Sequence, residues 1–281
     1  MHKNWLVALV LVGLGIALPA RADDWSKKYS VTGRPDLHFN VNDGKVDITS
    51  SDSKEIEAHV WTSGWRIPQE VKITESQSGD RVTIDVHVPN MHFSFGVNHR
   101  SVNVELRVPR DIDLDVHSGD GSITSQPLSG RIRLDSGDGN IEARGLKGDL
   151  RLHTGDGHID GSQFEGTLMA DTGDGRINIR GRFDALDIRT GDGNIEAAAE
   201  TGSQITGPWS LKTGDGNIIL RVPETFHADL DAHTGDGHIS LDFPVTVSGS
   251  LSNSSIRGKL AGGGPSLMLR TGDGSIRLER L

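Results

Sequence analysis

The 281-residue chain has no cysteine, which excludes a disulfide framework, a lipid-modified cysteine at a processing site and any thiolate metal site. Positive charge is in short supply. Lys and Arg number 29 against 39 Asp and Glu, a formal net charge of −10. Nucleic acid and an anionic membrane surface are therefore poor partners. Proline is scarce, at 10 residues against 36 glycines. The glycines recur at regular intervals, so this is the composition of a repeat protein and not of a disordered chain. Gly-x-Ser-x-Gly, His-Glu-x-x-His and P-loop motifs are all missing. No helix is expected after the glycines, which removes the usual phosphate-binding arrangement.

Long apolar runs are confined to the first residues. A short basic start, Met1-His2-Lys3-Asn4, leads into an apolar stretch from Trp5 to Leu18, then Ala20-Arg21-Ala22 and Asp23-Asp24. That run is short for a membrane span and is followed by a small-x-small cleavage pattern, so residues 1–22 are expected to be a signal peptide. Its removal takes away Lys3 and Arg21 and leaves a formal charge of −12. No later segment is apolar enough to cross a bilayer, and an exported protein, periplasmic or at the cell surface, follows as the expectation.

What the remainder does contain is a repeat. Gly-Asp-Gly triplets centre on Asp120, Asp138, Asp156, Asp174, Asp192, Asp215, Asp236 and Asp273, spaced 18, 18, 18, 18, 23, 21 and 37 residues apart. Relative to each Asp, position +3 is always Ile, from Ile123 to Ile276, and position −2 is always Ser or Thr. Position −4 is Val, Leu, Ala or Ile, and position −6 is Leu or Ile except at Trp209. Polar or charged residues such as Arg131, Arg133, Arg151 and His153 mostly fill the places between. This alternation marks a strand with one buried face entering each triplet, and the Ile at +3 starts the next strand. Equivalent positions should stack at about 4.8 Å in parallel ladders. The last gap spans two repeats, with Leu251–Ile256 as a decayed copy, and Val41–Val46 is an early weak copy.

Residues 23–116 carry longer alternating runs, such as Val82–Val88 and Val102–Val108. They predict a β-rich N-terminal cap and first coils, continuous with a repeat solenoid over residues 117–281. The fold class is all-β, a parallel β-solenoid of about 18-residue coils.

Val102–Thr124 and Lys259–Leu278 resemble the bacterial "putative adhesin" family of exported β-strand-repeat proteins, a domain of unknown function. The match runs over roughly Val31 to Leu281, through a strand, Val-Pro, Asp-x-Asp-Leu and repeated Gly-Asp-Gly-x-Ile. The resemblance implies a right-handed single-stranded parallel β-helix and an envelope location. It supplies no catalytic residues.

The aspartate column is the first candidate site. Carboxylates about 4.8 Å apart would repel by roughly 0.8 kcal/mol per pair in water. The corner glycines are expected to supply positive φ, and each Asp to cap its turn by accepting backbone N–H bonds. A cation would relieve the column further, and calcium-binding β-rolls use related turns. Asp138, Asp156, Asp174, His153 and His158 are the residues that would hold calcium or a transition metal. A structural column without a cofactor is the reading adopted. Aromatic side chains where the repeat breaks, Trp61, Trp65, Phe93 and Phe95, are the candidates for a binding surface gripping a glycan or envelope protein. A carboxylate repeated in every coil points to architecture, whereas a catalytic pair is a local exception. The function expected is a non-catalytic exported scaffold, an adhesin-like binding module. An envelope-stress or signalling partner and a polysaccharide-acting β-helix enzyme are the alternatives. Oligomeric state is left open.

Overall fold

The computed structural model describes residues 23–89, 100–247 and 252–281. The expected signal segment lies outside them. The described chain is all strand, turn and bend, with no helix, and its strands join into one long, mostly parallel, solenoid-like sheet.

The alternation read from the sequence sets the geometry directly. In Ser129–Ser136, Ile132, Leu134 and Ser136 are buried while Arg131 and Arg133 are exposed. The same parity repeats in Lys147–Thr154 and in the second halves of Ile159–Thr172 and Ile177–Thr190. These pre-corner strands pair in parallel with their equivalents one layer on, Leu134 with Leu152 and Leu152 with Ala170. After each corner a second ladder forms in the same way, joining Ile123, Ile141, Ile159, Ile177, Ile195 and Ile218. Between the two ladders lies an aliphatic core of fully buried Ile, Leu and Val side chains. Each stabilises the fold by about 1.5–3 kcal/mol relative to exposure. No single layer could hide its own apolar face, so the stability is shared between neighbours. The core widens at Trp209, which packs against Phe183 and Phe226 at ring separations of 6.3 and 5.2 Å.

At both ends the stacking order departs from chain order. Near the N-terminus, Asp36–Val41 lies between Arg81–His87 and Asp113–Ser118, parallel to both. Lys45–Ser51 lies between Ser101–Pro109 and Ile123–Ser125. The early weak copy at Val41–Val46 is thus the corner of the second layer. Near the C-terminus, Ser266–Thr271 lies between Trp209–Thr213 and Ala228–Thr234. Ile276–Arg280 lies between Ile218–Val222 and Ile239–Leu241. The Asp273 layer is therefore inserted between those of Asp215 and Asp236.

Antiparallel strands cover the end layers. Lys72–Ser78 runs along Arg81–His87, and Glu55–Ser63 along Ser101–Pro109 with Asp23–Ser30 outside it. Ser255–Leu260 runs along Ala228–Thr234, with Val245–Val247 outside. This corrects the reading of Leu251–Ile256 as a decayed layer: its described part leads into that antiparallel cover. An end layer exposes a row of unpaired backbone groups, and a strand laid against it satisfies them.

Candidate functional site

The Gly-Asp-Gly corner is where every layer meets its neighbours most closely. Thr172 shows how it is held. Its buried Oγ1 donates to Gly157 O of the preceding layer at 2.9 Å and accepts from Gly175 N of its own corner at 3.3 Å. Thr154, Thr190 and Thr213 repeat the pair of contacts. Ser118, Thr271 and Thr234 make the donating half. An internal hydroxyl column thus closes the corners. Position −2 shares the parity of −4 and −6, which turns it inward.

Two expectations about this corner are corrected. Among the described residues, the carboxylates of Asp138, Asp156 and Asp174 accept no hydrogen bond, and all three are exposed. The Ser or Thr hydroxyl does the capping expected of Asp. Nor do the triplet glycines adopt positive φ; those that do, such as Gly145 and Gly148, lie elsewhere. Glycine is required instead by close approach. A Cβ on Gly175 would stand 1.8 Å from Gly157 O, and one on Gly157 would stand 2.2 Å from Gly139 O. The backbones touch where any side chain would intrude.

The carboxylates form an outward column that begins with Asp43. Asp43 has its carboxyl raised above the usual carboxylate range, first by desolvation from the atoms packed about it and then by the charge of Asp120. The histidines beside the column have separate engagements. His153 Nδ1 meets Asp171 Oδ2 at 3.2 Å on the outer face of the pre-corner ladder. His158 lies beyond the corner, where its Nδ1 accepts the backbone N–H of Arg176 at 3.2 Å. The neighbouring layer uses Asn140 in that role, its Oδ1 accepting from His158 N at 2.8 Å. Among the described residues, no group of three or more His, Asp or Glu side chains is placed to hold a metal ion.

Of the aromatic candidates, Trp65 is buried. The guanidinium of Arg100 stands 4.3 Å from its ring centre, and its carbonyl accepts from Thr62 Oγ1 at 2.8 Å. Trp61 is half-buried on the outward side of Glu55–Ser63, its ring 5.0 Å from that of His59. Phe93 and Phe95 lie outside the described residues.

A more concave surface lies on the outer face of the pre-corner ladder. Two shallow grooves of about 270 and 460 Å³ share Arg133 and Arg151 as lining residues. Their floor is the ladder itself, and their walls are charged side chains projecting from successive layers. His117 Nδ1 and Arg133 Nη2 both contact the Asp135 carboxylate, at 3.0 and 3.2 Å. Arg189 Nη2 donates to Asp187 Oδ2 at 2.7 Å. These half-exposed pairs position side chains more than they stabilise the fold. The signal for this surface was present in the sequence as position −5, which reads Asp115, Arg133, Arg151, Met169 and Asp187 over successive repeats.

A family model described as Toastrack DUF4097 matches residues 35–279. No curated protein matches the chain. Similar solved structures include a "putative adhesin" from Bacteroides fragilis NCTC 9343, 12% identical with a TM-score of 0.47, covering 92% of this chain and 97% of that one. A "putative lipid binding protein" from Parabacteroides distasonis ATCC 8503 is 11% identical with a TM-score of 0.45, covering 91% and 96%. A "putative cell adhesion protein" from Clostridium sporogenes ATCC 15579 is 13% identical with a TM-score of 0.33, covering 93% and 100%.

Proposed function

The chain belongs to the Toastrack DUF4097 family, and from that premise we propose that it is an exported, non-catalytic β-solenoid whose exposed faces bind a component of the cell envelope, as an adhesin does. The coils are taken as right-handed, single-stranded and about 18 residues long. The observation that carries the reading is the division of labour at the corner. Hydroxyls and glycines inside account for the repeat, so the repeated Asp is not needed as a multiplied active site. What the scaffold offers outward is a long, rigid display of charged side chains. The start of the sequence, basic then apolar then Ala20-Arg21-Ala22, supports export.

The test is fractionation of the expressing cell followed by capture of envelope material on the purified protein. A product lacking residues 1–22 outside the cytoplasm, retaining envelope polysaccharide or protein, is the expected result. An unprocessed cytoplasmic chain, or one that retains nothing, would overturn the reading. The non-catalytic part has its own test. Replacing Asp138 and Asp156 together by Asn should change no polysaccharide turnover in the envelope, and a loss of turnover would contradict it.

A further inference from the structure

The outer face of the pre-corner ladder sets cations in register in two columns, Arg189 with Lys212 and Arg270 in one, and Arg133 with Arg151 in another. Other neighbouring layers set opposite charges side by side, as Arg133 with Asp115. Arg133 and Arg151, however, are partners in register, about 4.8 Å apart along the stack. Like charges directly opposite are unfavourable in a sheet. Arg133 shares its guanidinium between Asp115 and Asp135, whereas the carboxylate paired with Arg151, that of Asp149, stands 3.9 Å away. Next in the column is Met169, 48% exposed, one of three large apolar side chains so exposed among the described residues. It lies beside the two arginines in the groove of about 460 Å³. Beyond Met169 stands Asp187. Its Oδ1 is buried with no hydrogen-bond partner, as is the Oγ of Ser210, its in-register neighbour. Unsatisfied buried polar atoms are rare in folded proteins and call for a partner.

We propose that this groove binds an acidic polysaccharide, a chain of uronic-acid units laid along the stacking direction. This rests on the envelope-binding role proposed above and names its ligand class. Sugar carboxylates meet the Arg133 and Arg151 guanidiniums, whose planar forks suit them. An apolar sugar face lies on Met169, and sugar hydroxyls serve the carboxylates of Asp171 and Asp187. A single exposed apolar side chain gives no tract for an acyl chain. A polyphosphate offers Met169 no apolar face and the carboxylates of Asp171 and Asp187 no hydroxyl donors. The face of a sheet offers no unpaired backbone for an added peptide strand.

The experiment is calorimetric titration of the purified protein at low salt with oligogalacturonate, with its fully methyl-esterified form, with inorganic phosphate and with phosphatidylglycerol vesicles. Saturable binding of oligogalacturonate is expected, weakened about tenfold or more by esterification and by Arg151→Gln. Arg151→Lys should retain part of the affinity. All these side chains are exposed, so unchanged circular dichroism shows that the variants stay folded. Equal binding of acid and ester, an Arg133→Gln/Arg151→Gln variant that binds like wild type, no binding at all, or preference for vesicles or phosphate would each overturn the assignment. If that double variant still captures envelope material as wild type does, the groove assignment falls while the scaffold reading stands.

Discussion

The middle of the molecule and its two ends solve the same problem differently. From Asp113 to Ala199 each layer rests on the one before it in chain order, with partners 18 residues apart such as Ile141, Ile159 and Ile177. Equivalent positions meet equivalent positions, so one corner design serves throughout. At the ends there is no further layer to lie on. The chain steps outward to build the terminal layer, adds antiparallel cover, and in doing so leaves a place filled out of order: Asp36–Ser51 at one end and Ser266–Arg280 at the other. Close backbone approach and internal hydroxyls hold the corners throughout, and the ends add cover strands laid against the terminal layers. That difference predicts unequal sensitivity to the same kinds of change.

The sharpest contrast concerns glycine. Gly175→Ala drives a Cβ to 1.8 Å from Gly157 O and should cost about 3 kcal/mol or more. Gly79, in an end hairpin with φ of 62° and nothing within 4 Å of its Cβ position, should cost only about 1–2 kcal/mol as Ala, through backbone strain. Denaturant midpoints of the two variants measure the gap, and equal losses would erase the distinction.

Next in size is the hydroxyl column. Thr172→Val keeps the shape but leaves Gly157 O and Gly175 N without their partner, at about 2–3 kcal/mol. Thr172→Ser should recover most of that loss in the same measurement.

Acid should act on the ends first. Glu57 is held below its usual range by its hydrogen bond from Lys28, and Glu75 by Lys27 and then Tyr29. Asp80 is lowered by the backbone N–H groups of Thr32 and Gly33, and Asp231 by Arg270 and then Arg257. All four belong to cover strands, end turns or terminal layers; Glu165 is the corresponding group in the middle, lowered first by Lys147. Folded values below the unfolded ones mean that the contribution is fully present above the ordinary carboxylate pKa, about 4. It is lost as pH falls through the folded values. Hydrogen exchange at about pH 3 should show Glu55–Ser63 and Ser255–Leu260 opening before Ser129–Thr172, and uniform opening would contradict this. The smallest effect is expected on the outward side of the corner. Asp174→Asn, with no hydrogen bond to lose, should shift stability by less than about 0.5 kcal/mol.

The repeat itself was legible because burial parity is written in the sequence. Positions −6, −4, −2 and +3 face inward as their alternation requires, and even the early copy at Asp43 stacks in register below Asp120. The order of layers was not legible, for the same reason. Ile276 fits beside Ile218 as well as Ile239 does, so periodicity gives the spacing and leaves the neighbours open. At the corner two polar residues compete for one role. Asp suits the cap by its chemistry, but the parity of position −2 turns Ser or Thr toward the backbone. The Arg133–Arg151 groove is legible only when position −5 is read across layers.

The interleaved C-terminal end is tested most directly by cross-linking, which the absence of native cysteine makes clean. The hydrogen bonds from Gly272 N to Gly214 O and from Gly235 N to Gly272 O place the Asp273 corner between those of Asp215 and Asp236. Cysteines at positions 215 and 273 should therefore stand about 5 Å apart and oxidise readily, whereas cysteines at 215 and 236, two layers apart, should not. Efficient closure of the 215–236 pair and failure of the 215–273 pair would restore simple chain-order stacking and contradict the account.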